Sequence, residues 1–309
     1  MHAPVQQNTF LGALCLLGEI LFSFAIASAV KILEPQVGIF VVLFCRYLFC
    51  LPLLFAYGLK TRGRQLMQIK NTRVLILRII CGFLGLLMWF LAVAYIDLSL
   101  ATALSQTMPI FITVLAALIL GEHVGLHRIG AVSLGFAGVL VLLFPITAEL
   151  SFWGVTFALL GAFFAALMFI FLRILGQSDA VISSSLWYNL TGLLLAAVLC
   201  WLSEFSWSAF STSATTNVWQ ALILVGVLAS FQQILLAQSH AFAKASVLAP
   251  VHYATIPIGI IVGVMFFEEV IGVKFLMGTG IILMANYFIL RRERAQAALR
   301  RRTPFTDGK

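Results

Sequence analysis

The chain has 309 residues, 62% of them hydrophobic and 10% charged, and a net charge of +8. Soluble domains are about a quarter charged, so a sizeable soluble domain is excluded. The positive charge sits mostly in one loop and the C-terminal tail, which suits an anionic cytoplasmic leaflet and excludes nucleic acid as the expected partner.

Hydropathy and punctuation predict spans at 10–31, 37–58, 74–96, 99–120, 127–146, 152–174, 181–202, 218–239, 245–267 and 271–290. Each is near the length that crosses a bilayer. Each is expected to be a helix, because only a helix satisfies its own backbone in hydrocarbon. No Lys or Arg precedes the first run. That run is too long for a signal-peptide core, so it is read as an uncleaved span.

Span one carries Glu19, read as the sole acid at mid-membrane depth, and span two carries Arg46, read as the sole Lys or Arg inside an apolar segment. Span one runs outward and span two returns, which puts them about 18 and 14 Å deep. Similar depth on consecutive helices permits an ion pair. A charge at such depth normally faces a cavity or a partner and marks a pathway. Glu19 is expected to contact a cationic group or take up a proton. The alternative is a fixed structural pair with Arg46, and for Arg46 that structural role is the favoured one.

The connection after span two holds Lys60, Arg62, Arg64, Lys70, Arg73 and Arg78. With ten spans it lies on the same side as Arg128, Arg173, Lys244 and the basic tail. The opposite side holds only Lys31 and Lys274. This bias places both termini in the cytoplasm.

Span three offers Trp89, an aromatic wall for a planar substrate, and Tyr95, an interfacial anchor. Span four places Ser105, Gln106 and Thr107 before Pro109, and span nine places His252 and Tyr253 before Pro257. A mid-helix proline frees a carbonyl and permits bending, so Pro109 and Pro257 are candidate hinges beside a substrate, or else tolerated kinks. In span seven Asn189 is expected to pack between helices. Span eight is polar, with Ser230, Gln232, Gln233, Gln238, Ser239 and His240. Gln232 and Gln233 are candidate substrate contacts; the alternative is interhelical glue. Gly259 and Gly263 read as close helix packing. The five cysteines lie in apolar runs without metal spacing and read as packing residues. Glu122, His123 and His127 do not follow the HExxH order of a zinc site. No metal, cofactor or catalytic constellation is expected, and the chain is read as no enzyme.

The chain also repeats itself. Phe10, Gly12 and Lys31-Ile32-Leu33 match Phe152, Gly154 and Arg173-Ile174-Leu175. Leu100-Ala101 and Pro109-Ile110 match Leu248-Ala249 and Pro257-Ile258. The units are 10–146 and 152–290, followed by a basic tail at 291–309. Five spans per unit invert the second copy, the architecture of alternating-access carriers with a midplane substrate site.

Phe44-Cys45-Arg46-Tyr47, Arg78…Trp89…Ala94-Tyr95, Ala101…Pro109 and Leu120-Gly121-Glu122…Ile129-Gly130-Ala131 carry a family resemblance. Ala249…Pro257…Glu268-Glu269…Gly278 repeats it more loosely. In their order and spacing the chain resembles the EamA family of the drug/metabolite transporter superfamily over about residues 10–290. The resemblance implies ten helices in an inner membrane, a cavity lined by the first, third and fourth helices of each half, and transport of small metabolites. Many relatives lack an acid at Glu19.

The resulting expectation is an all-α integral membrane protein of ten transmembrane helices in two inverted five-helix repeats. It acts as a secondary carrier for a small polar metabolite, amino-acid-like or nucleotide- or cofactor-like, with a homodimer left open. Within the carriers, the alternative is uptake of a vitamin or cofactor rather than export, although direction is not readable from the sequence. The alternatives are an intramembrane enzyme and a structural or sensing protein.

Overall fold

The computed structural model describes residues 9–120, 126–143, 151–176, 178–203, 215–242 and 251–302. These residues form helices joined by short turns, with no strand among them. The helices are α1 (Thr9–Val37), α2 (Ile39–Arg62), α3 (Thr72–Tyr95), α4 (Leu98–Ser105), α5 (Met108–Leu120) and α6 (Leu126–Leu143). They continue with α7 (Phe152–Leu175), α8 (Val181–Leu202), α9 (Thr216–Phe242), α10 (Thr255–Phe267) and α11 (Val273–Arg302). A short 3₁₀ turn, Gly63–Met67, follows α2.

Among the described residues, seven helical segments are long and apolar enough to cross a membrane. Three shorter apolar helices, Gly130–Leu143, Thr255–Phe267 and Val273–Phe288, lie where the sequence predicts spans at 127–146, 245–267 and 271–290. Large apolar side chains such as Leu21, Ile80, Leu194 and Val198 point outward and are exposed. Leu16, Val42, Tyr47 and Phe90 are buried between helices. Lipid tails are as apolar as these side chains, so close packing and hydrogen bonds hold the helices together rather than escape from water.

The main pairings are α1 with α9, α3 with α7, α6 with α11, and α2 with both α8 and α9; α4 lies against α10 and α7. The α3–α7 crossing depends on small residues. A Cβ on Gly85 would stand 3.2 Å from the Ala165 nitrogen, and one on Gly161 would stand 3.3 Å from the Trp89 nitrogen. Backbones this close leave no room for larger side chains.

Arg78 corrects the charge map. The sequence reading grouped it with the loop, but α3 begins at Thr72, capped by Asn71, whose side-chain oxygen accepts from the Val74 nitrogen. Arg78 therefore lies nearly two turns inside the helix and is buried. Its Nη1 donates to the Ser184 carbonyl at 3.4 Å, and its guanidinium sits 4.7 Å from the Tyr188 ring centre. Tyr188 in turn exchanges a 2.9 Å hydroxyl–hydroxyl bond with Tyr47. Among the described residues, Arg46 is thus one of two arginines buried among the helices.

The predicted continuous spans four and nine are broken. Helix stops after Ser105, turns through 106–107 and resumes at Met108; in the other unit the chain turns at 253–254 before Thr255. Pro109 and Pro257 each fall just after the break. Proline lacks a donor that the first turn of a helix does not need, so it restarts a helix without penalty. Side chains meet the freed carbonyls: Asn286 Nδ2 donates to Gln106 O at 2.7 Å, and Thr255 Oγ1 to His252 O at 2.7 Å. Irregular backbone at membrane depth requires such internal partners.

Candidate functional site: a central cavity

A cavity of about 260 Å³ lies between the broken helices and α1, α3 and α7. Glu19, Ile20, Ser23 and Phe24 line it from α1, a spacing that keeps one helix face inward. Gly85 and Trp89 come from α3, and Gly161, Ala162, Ala165 and Phe169 from α7. Thr102, Ser105, Gln106 and Met108 come from the first broken segment, and His252 and Thr255 from the second. The walls are mainly apolar and aromatic, with a few converging polar groups, which is the usual make-up of a small-molecule site.

The polar groups form two sets. In the first, Ser23 Oγ donates to Glu19 Oε1 at 2.9 Å. Gln232 Nε2 donates to the same oxygen at 3.2 Å and to Ser23 Oγ at 2.8 Å. Arg46 Nη2 donates to Gln232 Oε1 at 3.4 Å. The Arg46 guanidinium also lies 5.0 Å from the Tyr47 ring centre. Glu19 and Arg46 therefore form no direct ion pair. Helix α9 packs along both α1 and α2, and its Gln232 amide stands between them. An amide in this position is polarised by the arginine on its oxygen side and offers both hydrogens to the acid side.

In the second set, Gln106 Nε2 donates to Thr255 Oγ1 and so ties the two broken segments together across the cavity. Both sets link an element of the first sequence unit to one of the second.

Of the residues singled out from sequence, Glu19, Trp89, Ser105, Gln106 and His252 line the cavity. Gln232 lies behind Glu19 and touches it. Gln233 is buried on α9 and Tyr253 sits at the second break; neither is among the described lining residues. Tyr95 is exposed. Asn189 is buried and donates to the Ser185 carbonyl of its own helix. Glu122, His123 and Lys244 lie outside the described residues. Sequence reasoning missed Ser23, Thr102 and Thr255. Ser23 had a signal, since it stands one helical turn from Glu19; the two threonines look like ordinary helix residues until the breaks are known.

Two polar clusters lie outside the spans, at opposite ends of the bundle. At one end Asp179, between α7 and α8, accepts from the backbone nitrogens of Lys70 (2.7 Å) and Asn71 (3.3 Å). Burial alone would raise this carboxyl. The bonds from Ser178, Lys70 and Asn71 outweigh it and hold it below the usual range. At the other end Glu269 accepts from Leu98 N (2.6 Å), Ser99 N (2.9 Å) and Lys31 Nζ (3.1 Å). Burial again pushes upward, and the bonds from Ser99, Leu98 and Lys31 bring the carboxyl below its ordinary value.

The model of the EamA-like transporter family matches residues 10–144 and 152–291. A riboflavin transporter of Vibrio cholerae is 27% identical over 94% of this chain and 95% of its own length. A pseudopaline exporter of Pseudomonas aeruginosa is 25% identical over 78% of this chain and 83% of its own. An S-adenosylmethionine uptake transporter of Rickettsia bellii is 26% identical over 90% and 94%. One solved crystal structure aligns with 92% of this chain and 97% of its own at a TM-score of 0.61 and 17% identity, a likeness of fold.

Proposed function

Because the chain belongs to the EamA-like transporter family, we propose that it is a secondary carrier that moves a planar, hydrogen-bonding metabolite of the riboflavin kind through the central cavity by alternating access. The observation that carries this reading is the cavity itself. Trp89, Phe24 and Phe169 supply aromatic surface, while Glu19, Gln106 and the hydroxyls of Ser23 and Thr255 supply directed polar groups. A flat heteroaromatic ring with several N–H and O–H groups uses both kinds of wall. Glu19 spends Oε1 on Ser23 and Gln232, and among the described residues Oε2 has no hydrogen bond. That oxygen is the acceptor offered to the substrate.

In this reading ten helices cross the membrane as two inverted halves. The pairings support it: α1 against α9 has its counterpart in α7 against α3, while α2 meets α8, α4 meets α10 and α6 meets α11 across a pseudo-two-fold axis. The contact of Asp179 with Lys70 and Asn71 joins two connections that alternating spans put on one side. Lys31, Leu98 and Glu269 meet at the other. With the charge bias this favours an inner membrane with both termini in the cytoplasm. Pro109 and Pro257 act as paired hinges beside the substrate. Alternating access is reversible, and gradients decide between uptake and export.

A second reading is favoured by Glu19: a carboxylate in a low-dielectric cavity suits a cationic metabolite such as S-adenosylmethionine. Titration of the purified protein in nanodiscs separates the two. Riboflavin fluorescence is expected to be quenched saturably by stacking. Trp89→Leu weakens binding by up to about tenfold, the worth of an aromatic stack. Absence of riboflavin binding, together with Glu19-dependent binding of S-adenosylmethionine, transfers the assignment to the cation.

A further inference from the structure

The described residues contain one ion pair, and it lies away from the polar network of the cavity. Glu269 sits in the turn between α10 and α11, with its side chain 3% exposed. The residue before it, Glu268, ends α10 at φ 54°, a left-handed conformation that costs energy for a residue with a side chain. That bend lets the Glu269 nitrogen bond back to Gly263 O at 3.1 Å and turns its carboxylate onto the start of α4. There it takes two of the four backbone donors that a helix N-terminus leaves unpaired, from Leu98 and Ser99. Lys31, near the end of α1, completes the cluster: its Nζ reaches Glu269 Oε1 at 3.1 Å and lies 4.9 Å from the Phe267 ring centre.

This cluster stands directly over the cavity. Phe24 and Thr102, both cavity residues, lie seven residues before Lys31 and three after Ser99. A side chain on Gly259 would meet both of them, at 3.1 and 3.0 Å. One turn further out, a side chain on Gly263 would collide with Glu269 Oε2 and Ser99 Oγ. Two layers therefore close this end, an apolar one at Phe24, Thr102 and Gly259 and a charged one at Lys31, Glu269 and the α4 N-terminus. Both layers tie the first family-model segment to the second.

We propose that Lys31, Glu269 and the N-terminus of α4 form a latch that holds the cavity shut at this end, and that its release is the step that opens the cavity there. The inference rests on the carrier reading. Rocking one half against the other must part α10 from α1 and α4, and the latch holds the one ion pair among the described residues, across that seam. A charge-assisted cluster suits a reversible lock, because water can replace its bonds once the seam parts.

The test is the rate at which a membrane-impermeant maleimide modifies Thr102→Cys from the latch side, with the unsubstituted protein as the baseline for its native cysteines. In the otherwise native chain modification is slow. Adding Glu269→Gln, which keeps the shape and removes the charge, is expected to speed it about tenfold or more. Lys31→Met leaves the Glu269–α4 bonds in place and is expected to act in the same direction more weakly; it carries the test if Glu269→Gln fails to insert. Equal rates in inserted proteins with and without these substitutions overturn the latch. Riboflavin counterflow by the same latch variants, carrying native Thr102, keeps the two ideas apart. Unchanged labelling with active transport removes the latch alone. Faster labelling in the variants, with no counterflow of riboflavin or S-adenosylmethionine by the unsubstituted chain, leaves the closed end standing and removes the carrier reading.

Discussion

Glu19 engages the protein through Oε1, and on the proposed reading it offers its other oxygen to the substrate, a division that makes a clean substitution available. In Glu19→Gln the amide oxygen can keep the bonds from Ser23 Oγ and Gln232 Nε2. Only the cavity-facing atom changes from acceptor to donor. Insertion and folding are expected to survive, while the KM for a neutral flavin rises about tenfold or more, the worth of a hydrogen bond to a charged group. For a cationic substrate the loss is larger. Transport kinetics in proteoliposomes check this, and an unchanged KM for every transported compound would remove Glu19 from the site. Glu19 was legible in the sequence because a charge in an apolar run is expensive and must be answered by something. What answers it was not legible. Arg46 has the right depth, but Gln232 comes from 186 residues away and occupies the space between them. Glu269 stands out in the sequence only as part of the Glu268-Glu269 motif, because an acid in a turn looks like a solvated one.

At the scale of elements, the breaks and the latch are what the linear pattern hides. Pro109 and Pro257 mark the right places, yet hydropathy runs straight through both turns, because the apolar residues on either side outweigh Gln106-Thr107 and Tyr253-Ala254. The latch gives this scale its pH dependence. Burial raises Glu269, but its bonds to Ser99, Leu98 and Lys31 hold it below the ordinary carboxylate value. A group lowered in the closed state stabilises that state above its ordinary range and stops doing so as pH falls through the lowered value. The neighbouring Asp97 is raised by partial burial and then by the Glu269 charge, against the pull of Lys31. It therefore takes up its proton first and relieves the repulsion. Glu268, the remaining acid in the turn, is exposed. Labelling of Thr102→Cys, taken at each pH relative to a free thiol because maleimide reacts with the thiolate, is thus expected to stay slow through the ordinary carboxylate range and to accelerate only below it. Acceleration already within that range would mean that another group holds the end shut.

At the scale of the molecule, apolar runs are enough to give an all-helical membrane bundle, while the family rests on motif resemblance and on the family-model match. Seven spans stand out by length; the other three apolar helices are shorter, and only packing makes them parts of the same bundle. The reciprocal pairing of α1–α9 with α7–α3 gives the duplication its physical meaning. Both segments matched by the family model line the cavity, and Gln232 of the second segment bonds Glu19 of the first. The most direct measurement is counterflow of labelled riboflavin into proteoliposomes holding the full chain. The account predicts saturable entry that internal unlabelled riboflavin accelerates and that Glu19→Gln impairs. Equal entry with and without the protein, for riboflavin and for S-adenosylmethionine alike, would contradict it.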